Sequence, residues 1–256
     1  MDKTFNFAKE LTEKANKVIL KNLNTASKIF YKKGNSNLVT NVDHEVEALI
    51  IKEINSKYPT HSIIAEESGI HKKDSTYKWF IDPIDGTTNF AHRYPCFCIS
   101  IGFAKNDVLE FGLVKNPVTG DLYSAIKNKG AKLNGKPISV SKIKRLKESL
   151  LVTGFPYERK ASGINNFNNF CNLTLLTQGV RRDGAAALDL CYVASGKLDG
   201  FWELKLSPWD VAAGILILKE AGGKVSNFKG NKYSIYDKEI VATNGFIHPE
   251  LIKQLR

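Results

Sequence analysis

Acidic side chains, a proline and a glycine lie together in the stretch from Trp79 to Phe90, directly behind an apolar run. The apolar residues predict a strand that ends at or next to Asp82, because Pro83 cannot donate a hydrogen bond to a sheet ladder. Asp82 and Asp85 then stand three positions apart across a proline-fixed turn. This spacing can bring two carboxylates and the backbone carbonyl between them to one hard cation. We therefore interpret the stretch as a metal site.

Gly86 follows the second carboxylate and permits a close approach of the backbone. The N–H groups of Gly86, Thr87 and Thr88 can open a helix that points at an anion. A surface turn in which Asp and Thr only cap a helix has the same residue types. The residues alone therefore leave two interpretations open, a capped turn and a site where cations and an anion meet.

Two aspartates outside this stretch lie at predicted helix starts. Asp43 can cap a helix whose apolar residues recur from Val46 to Ile54. Asp210 lies in the first turn of a helix that Pro208 can begin, beside the positive end of the helix dipole. Both positions are ordinary for an aspartate, so position alone indicates only a cap or a dipole partner.

Two adjacent glutamates, Glu66 and Glu67, follow a short predicted strand at 62–65. Neighbouring residues of an extended segment point to opposite sides, so one glutamate can enter a site while the other faces away. A solvated acidic loop is the alternative interpretation.

Two longer motifs indicate a family. Asp-Pro-Ile-Asp-Gly-Thr-Thr-Asn-Phe at 82–90 and Trp-Asp-Val-Ala-Ala-Gly at 209–214 resemble the paired signatures of the inositol monophosphatase family of magnesium-dependent, lithium-sensitive phosphatases. The resemblance extends from the region of Lys32 to the Glu-Ala-Gly-Gly segment at 220–223. It implies an α+β fold, the layered αβαβα sandwich shared with fructose-1,6-bisphosphatases, and a homodimer.

The resemblance also implies a set of metal ligands for two or three Mg²⁺ ions. One ion would be held by Glu66, Asp82 and the carbonyl of Ile84, and a second by Asp82, Asp85 and Asp210. In some family members a third ion lies near the position of Glu66. All these ligands are hard oxygens, which suit Mg²⁺. Two such ions about 3.5–4 Å apart can activate a water and stabilise the leaving oxygen of a phosphate ester.

The same resemblance assigns roles around these ligands. Thr87, hydrogen-bonded to Asp43, would orient the attacking water and help to deprotonate it, and Glu66 would act as ligand and base. The phosphate would rest on the amides of Gly86 and Thr87, and Glu203 would accept a hydrogen bond from a sugar or inositol hydroxyl. The implied substrate-binding residues are Asp85, Gly86, Thr87, Gly184, Ala185, Ala186, Glu203 and Asp210.

Two further similarities narrow the range of expected substrates. Thr88-Asn89 looks like the inositol and sugar phosphatase branch, and segment 181–190 is similar to prokaryotic members that accept inositol 1-phosphate and in some cases fructose 1,6-bisphosphate. We therefore expect a phosphomonoesterase that acts on inositol 1-phosphate or a related sugar phosphate. The alternatives are a fructose-1,6-bisphosphatase and a transcription or RNA-processing accessory protein, because an enterobacterial relative has that role.

Composition indicates an ordinary globular protein. With 256 residues, 43% of them hydrophobic, the chain can bury a substantial core. Apolar runs stay below the roughly 18 residues of a membrane span, and the N-terminus lacks the pattern of a signal peptide. We expect a cytoplasmic location and no membrane partner. The four cysteines have neither disulfide nor zinc spacing, so we expect buried thiols.

Net charge is +11, and the densest basic segment runs from Lys127 to Lys147. Such a surface suits anionic partners but is also typical of a solvated lysine-rich face. The segment has no aromatic residue for base stacking. Nucleic-acid binding is therefore the less favoured interpretation.

Periodicity predicts the remaining elements. An amphipathic helix is predicted from Phe5 to Phe30, with a break at 32–37, and alternating apolar residues followed by turn signals predict an antiparallel meander from 97 to 138. Beyond it, predicted strands at 150–152, 180–181, 200–202 and 240–242 alternate with predicted helices at 165–177, 185–195 and 208–221.

The polar segment 139–148 is the predicted junction between an N-terminal half, residues 1–142, and a C-terminal half, residues 143–256. It lacks the proline, glycine or serine density of a free linker. We therefore expect the two halves to pack intimately against each other.

Overall fold

The computed structural model describes residues 1–23, 28–31, 38–156 and 165–255. The helices in these ranges are α1 (Asp2–Asn22), α2 (Asn41–Lys57), α3 (Thr87–Ala91), α4 (Phe167–Leu176), α5 (Ala186–Ala194), α6 (Pro208–Glu220) and α7 (His248–Gln254). The strands are β1 (Ile29–Tyr31), β2 (Leu38–Thr40), β3 (Ser62–Ala65), β4 (Gly69–His71), β5 (Tyr77–Asp85), β6 (Cys98–Lys105), β7 (Val108–Lys115), β8 (Leu122–Ile126), β9 (Ala131–Leu133), β10 (Lys136–Pro137), β11 (Leu150–Thr153), β12 (Gly179–Arg181), β13 (Gly200–Leu204), β14 (Lys224–Ser226) and β15 (Glu239–Thr243).

Two sheets dominate the described residues. The long sheet has the order β10-β9-β8-β7-β6-β5-β3-β4, antiparallel except for the β3–β5 pair. The second sheet has the order β12-β11-β13-β15-β14, with β11 parallel to both of its neighbours. The strands β1 and β2 form a separate antiparallel pair.

Helices cover the faces of the two sheets, and this packing gives the molecule its layers. Helices α1 and α2 pack on one face of the long sheet, and α6 crosses the other face over β5 to β9. Helix α5 lies between α6 and the second sheet, whose far side is covered by α4 and α7. The αβαβα sandwich that was predicted is therefore confirmed. The division at residues 142 and 143 stays a prediction.

Two predicted element boundaries are wrong. Helix α1 ends at Asn22 instead of Phe30, because Ile29–Tyr31 is β-branched and aromatic and pairs with Leu38–Thr40 as a strand. The predicted break at 32–37 lies outside the described residues. The strand predicted to end at Asp82 continues as β5 to Asp85.

Pro83 lies within a register shift between β5 and β6 that falls between Asp82 and Asp85. A bulge of this kind tolerates a proline, because the residue is not required to donate to the ladder. The edge strands β4 and β14 were not predicted.

Helix α6 lies directly on the backbone of the long sheet. Gly102 and Gly112 are cross-strand partners in β6 and β7. A Cβ on Gly112 would lie 2.6 Å from the carbonyl oxygen of Ala213, and one on Gly102 would lie 2.9 Å from the Cβ of Ala212. The small residues Ala212 and Ala213 of α6 thus permit this close packing. The approach fixes the position of Asp210 in the first turn of the same helix.

Two expectations from composition are also tested. Cys96, Cys98 and Cys191 are buried free thiols, but Cys171 on α4 is exposed, which corrects the expectation that all four are buried. The cause is that the buried side of α4 is formed by Asn169 and Leu173. Within the described ranges, none of the helices combines the length and apolar character that crossing a membrane requires.

Candidate active site

Two acids of the site lie at the bulged end of β5, on a central strand of the long sheet. Asp82 is buried, and its Oδ1 accepts the N–H of Ile84 at 3.0 Å. Asp85 is also buried and accepts the N–H groups of Ala186 at 3.2 Å and Ala187 at 2.7 Å. Asp85 therefore links the end of β5 to the first turn of α5.

Asp210 lies at the third position of α6, and Pro208 begins that helix as the sequence predicts. Its Oδ2 accepts the N–H of Ser207 at 2.7 Å. A carboxylate at this position satisfies an N–H group that the helix itself leaves unpaired. The side chain also lines the same cavity as Asp82 and Asp85.

Asp43 is fully buried in the first turn of α2, and its cap role differs from the prediction. The capping residue is Thr40, and Asp43 completes a capping box by accepting the N–H of Thr40 at 2.9 Å. The preference of threonine for an N-cap and of an acid three residues later explains this arrangement. The other oxygen of Asp43 lies 3.0 Å from the hydroxyl oxygen of Thr87.

The Thr87 hydroxyl has a second acceptor within reach, the carbonyl oxygen of Ile84 at 3.0 Å. A hydroxyl has one proton, so it donates to Asp43 or to Ile84 at any moment and keeps lone pairs for a further donor. Thr87 is the first residue of the short helix α3. The residue before it, Gly86, caps the helix and has a left-handed backbone conformation, with φ of 91°. The helix predicted to open at this glycine is confirmed.

Glu66 follows β3 and lines the cavity, whereas its neighbour Glu67 does not. Sequence reasoning missed the acid that holds this turn. Glu47 is buried on α2 and accepts the N–H groups of Glu67 and Ser68, each at 2.8 Å. One signal was available, since Glu47 lies four residues after Asp43, on the same otherwise apolar helix face.

The cavity at this site has a volume of about 410 Å³. Its walls contain most of the predicted residues, namely Glu66, Asp82, Ile84, Asp85, Gly86, Thr87, Gly184, Ala186, Glu203 and Asp210. Asp43 and Ala185 are not on the wall, since Asp43 lies behind Thr87 and Ala185 is the buried residue before α5. Residues that were not predicted complete it: Gly154, Phe155, Pro156, Arg182, Leu204, Lys205, Leu206, Ser207 and Trp209.

The wall is electrostatically unbalanced, with five carboxyl groups against one arginine and one lysine. Burial, followed by the charges of Glu66, Asp85 and Asp210, raises the pKa of Asp82 well above its usual value. Burial and neighbouring carboxylates likewise raise the pKa of Asp210. Burial raises the pKa of Asp85 to about 7, against the opposing effect of the Ala187 N–H.

Such a set of buried oxygens with surplus negative charge fits a divalent cation. Among the described residues, no three acidic, histidine or cysteine side chains are already spaced to hold an ion. Mg²⁺ does not require that spacing, because it keeps several waters and is usually bound through one or two carboxylates. The donor chemistry is therefore compatible with Mg²⁺ when waters and a carbonyl complete its shell.

Glu203, on β13, is a further buried carboxyl group in the cavity wall. Burial raises its pKa to about 8, and the nearby Arg182 opposes that rise. Its carboxylate lies over Gly154, at the place where a Cβ on that glycine would be. Glycine at this position leaves room for the Glu203 side chain.

The first testable consequence concerns stability and pH. A carboxyl whose pKa is higher in the folded than in the unfolded protein contributes most at low pH, and that contribution is lost as the pH rises through the folded value. For Asp85 and Glu203 the window runs from about pH 4 to about pH 8. We expect the melting temperature in chelator to fall across this range, and the increase produced by Mg²⁺ to grow with pH, because binding releases protons.

Differential scanning fluorimetry at several pH values, with chelator or Mg²⁺, measures both effects. The difference between the two conditions removes the general effect of net charge. Asp82→Asn serves as the matched variant, expected to melt higher in chelator and to gain little from Mg²⁺. A gain from Mg²⁺ that is independent of pH would contradict the electrostatic account.

Comparison with known proteins agrees with this geometry. Residues 1–256 match the profile described as "Inositol monophosphatase family". The chain is 50% identical over 219 residues to the Inositol-1-monophosphatase of Synechocystis sp., covering 85% of this chain and 76% of the relative. It is 40% identical over 258 residues to the Nus factor SuhB of Escherichia coli, covering 100% of this chain and 97% of the relative. The solved structure of Inositol monophosphatase from Anabaena (Nostoc) sp. has a TM-score of 0.89 at 44% identity, covering 98% of this chain and 95% of that one. The chain belongs to the inositol monophosphatase family.

Proposed function

We propose that this protein is a Mg²⁺-dependent phosphomonoesterase that hydrolyses inositol 1-phosphate, or a related sugar phosphate, to the alcohol and inorganic phosphate. The observation that carries the proposal is the cavity in which Glu66, Asp82, Asp85 and Asp210 converge beside Thr87. Membership of the inositol monophosphatase family supports it. Hydrolysis of a phosphate ester requires neutralisation of the negative charge on the phosphate oxygens. The cavity acids, which repel one another, can hold the cations that neutralise this charge.

The cation ligands follow the predicted set. Glu66, Asp82 and the carbonyl of Ile84 would hold one Mg²⁺, and Asp82, Asp85 and Asp210 a second. As in some family members, a third would lie near Glu66. When bound, the ions would lower the pKa of a water and neutralise charge on the phosphate oxygens.

The chain's own residues would orient the nucleophile. Asp43 has one oxygen occupied by the Thr40 N–H and its other oxygen directed at the Thr87 hydroxyl. When Thr87 donates to Asp43, its remaining lone pairs can accept a hydrogen bond from a water in the cavity. As that water gives its proton to the Thr87 oxygen, Thr87 would pass its own proton to Asp43. Thr87 would therefore align that water and help to deprotonate it, with Glu66 as a second acceptor.

The substrate would lie between the acids and the second half of the chain. Its phosphate would contact the amides of Gly86 and Thr87, and its ring hydroxyls would contact Glu203, near Gly184 and Ala186. Burial keeps the pKa of Glu203 near 8, so at neutral pH this carboxyl can donate as well as accept a hydrogen bond.

A substrate panel tests the proposal. Inositol 1-phosphate, fructose 1,6-bisphosphate, 3′-phosphoadenosine 5′-phosphate and NADP would each be assayed for phosphate release with Mg²⁺. We expect hydrolysis of inositol 1-phosphate, partial replacement of Mg²⁺ by Mn²⁺, and inhibition by Ca²⁺, which is larger and accepts looser coordination. Inhibition by lithium is expected from family membership.

Two results would overturn the proposal: no hydrolysis of any substrate, or full activity in excess chelator. Preferential hydrolysis of fructose 1,6-bisphosphate would select the alternative assignment within the same fold. The control variant is Asp82→Asn, which replaces one carboxylate of the cavity by an amide of the same shape and is expected to abolish turnover.

A second candidate function rests on the similarity to the Nus factor SuhB of Escherichia coli, which spans the whole chain. We infer that an accessory role in transcription or RNA processing is compatible with this fold, alone or beside hydrolysis. Such a role depends on surfaces and not on the ionised state of the cavity acids. A homodimer and a cytoplasmic location stay predictions.

A further inference from the structure

A second cavity, of about 470 Å³, lies between α1 and the strands β7 to β9. None of its lining residues lines the candidate active site. Helix α1 contributes Phe5, Lys9 and Glu13, which are spaced four residues apart and therefore form one stripe along the helix. The first helix of the chain thus forms one wall of a site that the proposed phosphatase function does not use.

The opposite wall is one face of the long sheet. Leu122, Ser124 and Ile126 of β8 all line the cavity, and alternate residues of a strand share a face. Lys115 is the cross-strand partner of Leu122, and Lys132 is the partner of Ser124, so both lysines lie on that face too. The cavity therefore has an apolar floor and a basic rim.

Four lysines face a single acid in this lining. Lys115 is nearly buried, with a side chain 10% exposed, and pairs with Glu13 at 3.1 Å. Lys129 pairs with Asp2 at 2.9 Å, just outside the lining. Within the part of the chain that the structure describes, Lys9 and Lys132 form no ion pair. Two ammonium groups at the rim are therefore available to an anion.

We propose that this cavity binds a small amphipathic anion, a carboxylate with an unbranched apolar chain. The chain would lie on Phe5, Leu122 and Ile126, and the carboxylate would lie between Lys9 and Lys132. Apolar area removed from water and charge complementarity at the rim act together on such a ligand. An inorganic anion would leave the apolar floor exposed, and this lining offers a single aromatic ring, Phe5, whereas a nucleic-acid strand stacks successive bases on several.

Octanoate is a suitable probe. Acetate tests the carboxylate head group without the long chain, and octan-1-ol tests the chain without the carboxylate. We expect isothermal titration calorimetry of the full chain to show one octanoate site, with both partial probes at least tenfold weaker. Octanoate affinity is expected to fall with salt, because the rim charges are exposed. The measurement does not depend on hydrolysis, so its outcome is separate from that of the proposed phosphatase function.

The decisive comparison uses two double variants that change net charge equally. Lys9→Glu with Lys132→Glu reverses the rim, and Lys136→Glu with Lys142→Glu reverses two exposed lysines of the same basic region outside the lining. We expect the first to weaken octanoate binding at least tenfold and the second to leave it within about twofold. Ser124→Phe, which would fill the cavity, is expected to abolish binding with the far-ultraviolet circular dichroism spectrum unchanged.

Equal weakening in the two double variants would overturn the proposal, since it would show attraction to net charge alone. Absence of octanoate binding to the unaltered chain would also overturn it. So would an RNA oligonucleotide that binds the rim and is not displaced by octanoate.

Discussion

Replacing Thr87 with alanine is expected to lower kcat by about 10²–10⁴-fold, the usual contribution of a positioned acid–base group, while the Mg²⁺ concentration required hardly changes. The reason is that Thr87 offers a neutral hydroxyl, 3.0 Å from Asp43, whose value lies in aligning the attacking water. Thr87→Ser keeps a hydroxyl and serves as the matched control, with most of the activity retained. Initial rates measured against Mg²⁺ concentration give both quantities for each variant.

Two aspartate variants distinguish orientation of water from binding of metal. Asp43→Asn should resemble Thr87→Ala, and the double variant should be little worse than either single change, because residues that act as a unit are not additive. Asp210→Asn should instead raise the Mg²⁺ requirement and lower the maximal rate together. A normal kcat in Thr87→Ala would show that the assignment of the Asp43–Thr87 pair is wrong.

Gly112→Ala is expected to be the most damaging change outside the cavity. The added Cβ would lie 2.6 Å from the carbonyl oxygen of Ala213, so α6 must move away from the sheet. Overpacking of this kind typically costs about 1–3 kcal/mol of unfolding free energy. Because α6 carries Asp210 in its first turn, the Mg²⁺ requirement should rise as well. Urea unfolding and the Mg²⁺ dependence of the rate measure the two effects.

Gly102→Ala provides a control at the partner position. Its added Cβ would meet the Cβ of Ala212 at 2.9 Å, whereas the nearest backbone atom, the nitrogen of Ala213, lies farther away at 3.2 Å. Ala212→Gly should therefore show a favourable coupling energy with Gly102→Ala and none with Gly112→Ala, as measured in double-mutant cycles. The same coupling energy at both glycines would refute the idea that contact between the backbones at Gly112 and Ala213 sets the distance between α6 and the long sheet.

The meeting of Asp82, Ile84 and Asp85 at one cavity could be predicted from the sequence because it depends on local spacing. These three residues need only the bulged end of one strand to meet. The positions of Asp210 and Glu203 depend instead on how α6 and β13 pack, and only the family resemblance connected them to that strand end. Periodicity gave the helices and the meander, since each buries one face of a regular element.

What the sequence could not give arises from contacts between distant segments. Glu47 accepts two N–H groups from the turn after β3, about twenty residues away, and a single acid on an apolar helix face does not reveal its partner. The end of α1 was missed because apolar residues at Ile29–Tyr31 continue the helical spacing, yet pairing with β2 determines their structure. The end of β5 was predicted too early because Pro83 is tolerated at a bulge, and a bulge depends on the pairing of two strands, β5 and β6.

Two acids of the cavity wall and one acid behind it also satisfy N–H groups at the starts of helices: Asp85 at α5, Asp210 at α6 and, behind Thr87, Asp43 at α2. A neutral amide or hydroxyl oxygen can satisfy such N–H groups as well as a carboxylate does. Few substitutions therefore separate a hydrolytic protein from a catalytically silent descendant with the same scaffold. In evolutionary terms, the architecture lets a lineage lose turnover and keep its fold.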